Sequence, residues 1–165
     1  MRAIHLGIPA ATITVLTAST LLLGTGAAGA TGTIPIYAAL RNCDFSRVQT
    51  SVEVPHPNMG HGTAQFTSTG SSIAAHVQLV VAGEPGHHFD VGLIQEPLPS
   101  SASCGPGAPG STFTGADTDG SGQLDVTLQA PIRQGATGAW VVVESPNPHN
   151  NAPAEFYSTE YLAPV

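Results

Sequence analysis

Gln123-Leu124-Asp125-Val126-Thr127-Leu128-Gln129 alternates polar and apolar side chains without a break. A period of two puts Leu124, Val126 and Leu128 on one face of a strand and the polar set on the other, so the stretch reads as a half-buried antiparallel strand. The same period recurs upstream. Ile73, Ala75, Val77, Leu79 and Val81 share a face across from Ala74, His76, Gln78 and Val80. Ala64, Phe66 and Ser68 alternate with Thr63, Gln65 and Thr67, and Val48, Thr50, Val52 and Val54 with Gln49, Ser51 and Glu53. Over 87–95, Phe89, Val91 and Leu93 fall to one side. Turn residues such as Thr69-Gly70 and Gly83-Glu84-Pro85-Gly86 separate the runs about every eight to twelve positions, the spacing of a sandwich or barrel. Residues 139–144 carry Trp140, Val141, Val142 and Val143 without alternation, which predicts a central strand covered on both faces; a last strand, 154–162, brings Phe156, Tyr157 and Tyr161. The expectation is an all-β, antiparallel Greek-key β-sandwich of about seven to eight strands.

The N-terminus predicts the compartment. Met1 and Arg2 precede an apolar run over 4–23, and small residues follow as far as Ala28-Gly29-Ala30, the pattern of a secretory signal peptide cut after Ala30. The alternative is an uncleaved anchor; Pro9, Thr12, Thr14, Thr17, Ser19 and Thr20 interrupt the run and favour cleavage. Residues 1–30 are thus read as signal and 31–165 as one secreted domain, a length that fits one hydrophobic core. No second apolar run long enough to span a bilayer follows.

The domain has no lysine and three arginines, Arg41, Arg47 and Arg133, against eleven acidic residues, a net charge of −8. Nucleic acid and anionic membrane surfaces both require a basic patch, so neither is an expected partner. Cys43 and Cys104 are the only cysteines. In an exported chain their default reading is a disulfide, which would close a loop of about sixty residues; a metal or redox pair is the competing reading, which their wide spacing disfavours.

Two local patterns point to metal. Asp117-Thr118-Asp119-Gly120-Ser121-Gly122-Gln123-Leu124-Asp125 resembles the opening of an EF-hand calcium loop, with oxygen donors from Asp117, Asp119, Ser121 and Asp125 and Gly122 at the turn position. Leu128 stands where the bidentate Glu belongs and the flanks read as strands, so a plain hairpin turn explains the residues equally well. Pro55-His56-Pro57-Asn58-Met59-Gly60-His61 places His56, Met59 and His61 within one short loop, a ligand mix that suits copper, against the reading of an exposed turn. His87 and His88 are adjacent on a strand and point to opposite faces, so they cannot share one ion. No Gly-x-Ser-x-Gly elbow occurs, and the carboxylates Glu84, Asp90, Glu96 and Glu144 pair into no glycosidase motif, which leaves a hydrolase as the weakest reading.

From 62 to 129 the order of features resembles the core of Cu,Zn superoxide dismutases and the related chordin-type β domains. The counterparts are Gly62-Thr63-Ala64-Gln65-Phe66, a long strand over 73–81, His88-Phe89-Asp90-Val91-Gly92, a loop bearing Cys104, and Thr118-Asp119-Gly120-Ser121-Gly122. Asp90 and Gly92 stand where the dismutase strand carries two copper-ligating histidines, so the resemblance implies the scaffold without dismutase activity. The chain is also similar to small, low-lysine exported β proteins of actinobacteria. These readings converge on a secreted or cell-envelope protein that acts without catalysis. It would bind an extracellular protein or envelope component through the loops 96–110 and 145–153 and the C-terminal aromatics. The alternative is an extracellular calcium- or copper-binding protein.

Overall fold

The computed structural model describes residues 31–49 and 59–165. The predicted signal segment, His56 and most of the 48–54 alternation lie outside them. The described residues form strands and no helix, and so none long and apolar enough to cross a membrane. The strands are β1 (Thr31–Tyr37), β2 (His61–Thr69), β3 (Ser72–Val80), β4 (His88–Glu96), β5 (Ser111–Asp117), β6 (Gln123–Pro131), β7 (Gly138–Ser145), β8 (Glu155–Thr159) and the short β9 (Ala163–Pro164).

They form one antiparallel sheet in the order β5-β4-β7-β8-β1-β2-β3-β6, with β9 beside β7. β8 and β1 meet only at Ile36↔Thr159 and Tyr37↔Ser158, so the sheet folds there into a nearly closed sandwich. β3 pairs with β6 and β4 with β7, out of chain order, which gives the Greek-key connections expected from the strand count. The alternation read from sequence sets the core. Ile73, Ala75, Val77 and Leu79 of β3, Leu124 and Leu128 of β6, and Phe89, Val91 and Leu93 of β4 are buried between the layers. β7 lies between β4 and β8 and is buried along nearly its whole length, as its unbroken apolar run requires.

The outer face of β4 and β7 has its own small core. Ile94, Trp140 and Val142 are covered by Phe45, Leu98, Phe113 and Cys104. The cover consists of Phe113 of β5 and two loops, 38–49 and 97–110, which the Cys43–Cys104 disulfide joins with 5.5 Å between Cα atoms. Phe45 packs against Trp140 with ring centroids 5.5 Å apart, and the Arg41 guanidinium stacks 3.8 Å over Phe45. Glu96 secures the layer from beneath. Its carboxylate accepts from Trp140 Nε1 at 2.9 Å and from the Leu98 backbone N–H at 2.6 Å. With both oxygens engaged by N–H donors, this buried side chain is fully satisfied and fixes the entry into the 97–110 loop.

β1 and β5 were not legible as strands. Thr31–Tyr37 contains Gly32 and Pro35, and Ser111–Asp117 has an exposed, hydroxyl-rich face with little apolar alternation. Both sit where the sheet tolerates this: β1 at the weakly paired fold between layers, β5 at a sheet edge.

Candidate metal centre

Four segments converge at one end of the sandwich: the turn after β3, the start of β4, the end of β7 and the start of β8. In the register of β7 and β8, Ser145 stands opposite Glu155. His87 directly precedes β4, and Glu84 lies in the Gly83-Glu84-Pro85-Gly86 turn. One ligand atom from each of Glu84, His87 and Glu155 lies within 4.8 Å of the other two.

The backbone that carries Glu84 and His87 is clamped to the end of β5 through Thr118. The Thr118 hydroxyl donates to the Glu84 carbonyl and accepts from the His87 N–H at 2.8 Å. The Thr118 N–H donates to the His87 carbonyl at 2.9 Å, and the Gly86 N–H donates to the Thr118 carbonyl at 3.0 Å. Gly122 closes the same corner. Its φ of +78° and its contact with Val81, where a Cβ would sit 2.3 Å from the carbonyl oxygen, require glycine. The imidazole of His87 packs edge-on to buried Phe89, with centroids 5.0 Å apart, so ring stacking as well as backbone fixes its direction.

Glu155 is fully buried. The Tyr157 hydroxyl donates to its Oε1 and accepts from the Gly60 N–H at 2.8 Å. Oε2 is buried without a hydrogen-bond partner, and a Glu84 carboxylate oxygen lies within 4.8 Å of the Glu155 carboxyl. Burial first, then the charge of the neighbouring Glu84, push the Glu155 carboxyl up to about 7. Burial and the neighbouring charge both favour the protonated form of the Glu155 carboxyl, because a buried carboxylate is poorly solvated and an adjacent one repels it. A divalent cation would replace that proton and neutralise both groups.

The Gly60–Tyr157 contact gives a direct probe of the support. A Cβ on Gly60 would fall 2.6 Å from Tyr157 Cζ, and the ring, itself fully buried, has no room to retreat. Gly60→Ala is expected to destabilise the fold by about 1–3 kcal/mol through overpacking. It should also shift Glu155 away from Glu84. Urea melts of the variant measure the first effect, and an unchanged midpoint would show that the ring is not held in place.

The arrangement is not a nucleophilic relay. Ser145 Oγ lies 2.6 Å from His87 Nε2, but the Glu84 carboxylate approaches the same nitrogen, at 3.6 Å, instead of holding the other. A Ser-His-acid relay needs the acid on the opposite ring nitrogen and an accessible hydroxyl, and Ser145 is buried. A substrate cannot touch buried Glu155. A bare cation can, since the His87 and Glu84 side chains retain 26 % and 16 % exposure.

The residues singled out in the sequence are placed elsewhere. Asp119 accepts from the Ser121 N–H at 2.8 Å, the Ser121 hydroxyl at 2.7 Å and the Gln123 N–H at 2.9 Å, which makes it the organiser of a β5–β6 turn and holds its carboxyl below the usual range. Asp125 lies on the outer face of β6, where Gln78 and His76 contact its two oxygens at 3.0 and 2.8 Å and lower its pKa. Asp117 pairs with His88 at 2.6 Å. Asp117, Asp119, Ser121 and Asp125 therefore do not aim their oxygens at one point. Met59 is exposed and His61 opens β2, while His56 lies outside the described residues. His87, just before β4, and His88, its first residue, diverge, one to the cage and one to Asp117. Glu155 went unnoticed because it sits beside Phe156 and Tyr157 in a run that reads as core; its approach to Glu84 depends on strand order alone.

No protein-family model, curated protein or solved structure matches the chain.

Proposed function

We propose that this chain is a secreted, non-enzymatic binding protein that takes up one divalent transition-metal cation at Glu84, His87 and Glu155, with zinc the best fit. The observation that carries the reading is the fully buried Glu155, whose Oε2 has no hydrogen-bond partner and which brings a ligand atom within 4.8 Å of a second carboxylate and an imidazole. One nitrogen and two carboxylate donors suit zinc, whose bonds of about 2.0–2.2 Å would draw the three side chains slightly inward. Calcium asks for six to eight oxygens. Copper also accepts imidazole and carboxylate and is the natural competitor.

The test is equilibrium dialysis of the mature protein against zinc, alongside a thermal-shift series with zinc, copper and calcium. One zinc per chain is expected. At a free concentration about a hundredfold above Kd, binding should stabilise the native state by about 2.7 kcal/mol. His87→Ala and Glu155→Gln should abolish the shift, while His61→Ala and Asp125→Asn should leave it intact. Zinc uptake that survives the first two substitutions would refute the assignment.

A second reading rests on the disulfide-stapled layer. The 38–49 and 97–110 loops are pinned over Trp140 and present a rigid surface of turns. That surface suits recognition of an extracellular protein or cell-envelope component. The disulfide is compatible with this setting, as is the likeness of segments in β2, β3 and β4 to the dismutase and chordin-type scaffold. A variant with the tip of 97–110 shortened should lose any partner captured by the native chain, with zinc uptake unchanged.

A further inference from the structure

The two outer faces of the sandwich differ. That of β4 and β7 lies under the stapled loops, whereas the outer face of β2, β3 and β6 carries exposed or half-exposed side chains along all three strands. The register fixes which of them stand side by side. His61, Val80 and Gln123 form one row across the strands, and Thr63, Gln78 and Asp125 form the next. Neighbours in a row lie about 4.8 Å apart and successive rows about 6.7 Å apart, the spacings of any sheet. These six outward side chains line an open groove of about 270 Å³. Every lining residue belongs to a strand, so no loop walls the groove off at an end. The row beyond it, Gln65, His76 and Thr127, continues with the same kind of side chain.

The chemistry narrows the occupant. Asp125 is the single carboxylate among the outward residues of β2, β3 and β6, and no arginine stands among them. An anion therefore finds no cation in the groove. A cation finds one carboxylate whose two oxygens are already engaged, by His76 at 2.8 Å and by Gln78 Nε2 at 3.0 Å. Large apolar surface is limited to Val80, 37 % exposed. The other groups are neutral and can both donate and accept: the Thr63 hydroxyl, the Gln78 and Gln123 amides and the His61 imidazole. Among the described residues, neither the Thr63 hydroxyl nor the His61 ring has a hydrogen-bond partner. Sugar hydroxyls have the same double capacity, and the C–H face of a pyranose packs on an aliphatic side chain.

We propose that this groove binds a pyranose unit of a neutral polysaccharide chain. Val80 lies under the ring, and Thr63, Gln78, Gln123 and His61 pair with its hydroxyls. A chain is favoured over a free sugar because the groove has no end wall and the row beyond repeats its chemistry. A peptide strand would instead add to an unpaired sheet edge, whereas β3 is paired on both sides here and the free donors are side chains. The groove shares no residue with the Glu84–His87–Glu155 cage.

The experiment is an NMR titration of the mature protein, following backbone amides. The probes are maltopentaose, cellopentaose, mannopentaose and chitopentaose, with the corresponding monosaccharides, an oligogalacturonate as the anionic counterpart, and a neutral glycine-serine peptide. At least one neutral pentasaccharide should give saturable shifts centred on residues 61–63, 78–80 and 123–125. It should bind about tenfold or more tightly than its monosaccharide, since it also reaches the next row. Oligogalacturonate and the peptide should be silent. Thr63→Val keeps the branched shape without the hydroxyl, and Gln78→Ala removes the central amide. Both sites are on the solvent face, so the fold is retained, and each change should weaken binding by about three- to tenfold, the size of one neutral hydrogen bond. No saturable response to any neutral pentasaccharide overturns the proposal. So does binding unchanged in both variants, a response centred on the 97–110 loop, a monosaccharide that binds as tightly as its pentasaccharide, or equal binding of oligogalacturonate or the peptide.

Discussion

Cys43→Ser combined with Cys104→Ser lowers the stability of the sandwich by about 4 kcal/mol, the largest loss expected from any change outside the main core. The magnitude follows from the sequence separation of 61 residues between the cysteines. Without the bond, the unfolded chain regains the freedom of that loop, and the entropy scales with the logarithm of its length. A domain of this size should melt roughly 15 °C lower. The native state also loses a constraint. The 38–49 and 97–110 loops are the cover for Ile94, Trp140 and Val142, and Cys104 is part of that cover. With the staple gone, their contacts must carry the ordering entropy of two long loops, and the layer should open before the main core does. Trp140 reports this directly. Its emission should shift to the red in a transition preceding the loss of the β-sheet signal, whereas the disulfide-bonded protein should show one transition. A double variant within about 1 kcal/mol of the native protein would mean that the Glu96 hydrogen bonds and the Phe45–Trp140 contact hold the layer by themselves.

How much of this could be read in advance depends on what each residue's role requires. β3, β6 and β7 were legible because burial on one face or both writes itself into the period of the sequence. The Cys43–Cys104 bond was legible because two widely spaced cysteines behind a segment that reads as a secretory signal have few other choices. β5 was not, since an edge strand with a solvated face has no pattern to show. Asp119 illustrates the opposite error of sequence. Asp, Gly and Ser in a tight turn serve local backbone hydrogen bonds with the same residues and spacing that a calcium loop uses. The cage was half legible. His87 and Glu84 stand out as polar residues near a break, but Glu155 joins them only because β4 and β8 flank β7, a fact of topology with no local trace.

The metal-free protein should be more stable in mild acid than in mild base, the reverse of the usual trend for an acidic domain rich in exposed carboxylates. The sign follows from Glu155. Its folded pKa of about 7 lies above the ordinary carboxylate value, so between the two the native state holds a proton that the unfolded chain has released. Stability therefore falls as pH rises from about 4.5 to 7 and levels off above, when the folded group is also ionised. Of the other shifted groups, Glu144 acts in the same sense: burial and the charge of Asp90 raise it. Asp44, Asp119 and Asp125, lowered by hydrogen bonds, act in the opposite sense, but all three are fully exposed and their contribution comes mainly at lower pH. Glu155→Gln removes the titrating proton while an amide oxygen remains for the Tyr157 hydroxyl. The variant should match the native protein near pH 5 and exceed it at pH 8 by roughly 2 kcal/mol, the scale of such a shift after allowance for relaxation. Saturating zinc should produce a similar gain in the native protein at pH 8 and none in the variant, because the cation and the substitution relieve the same repulsion. Paired urea melts at the two pH values, with and without zinc, decide the matter. A native protein whose stability rises steadily from pH 5 to 8 would place Glu155 among ordinary ionised carboxylates, and the cage would lose the charge pair that makes it a metal site.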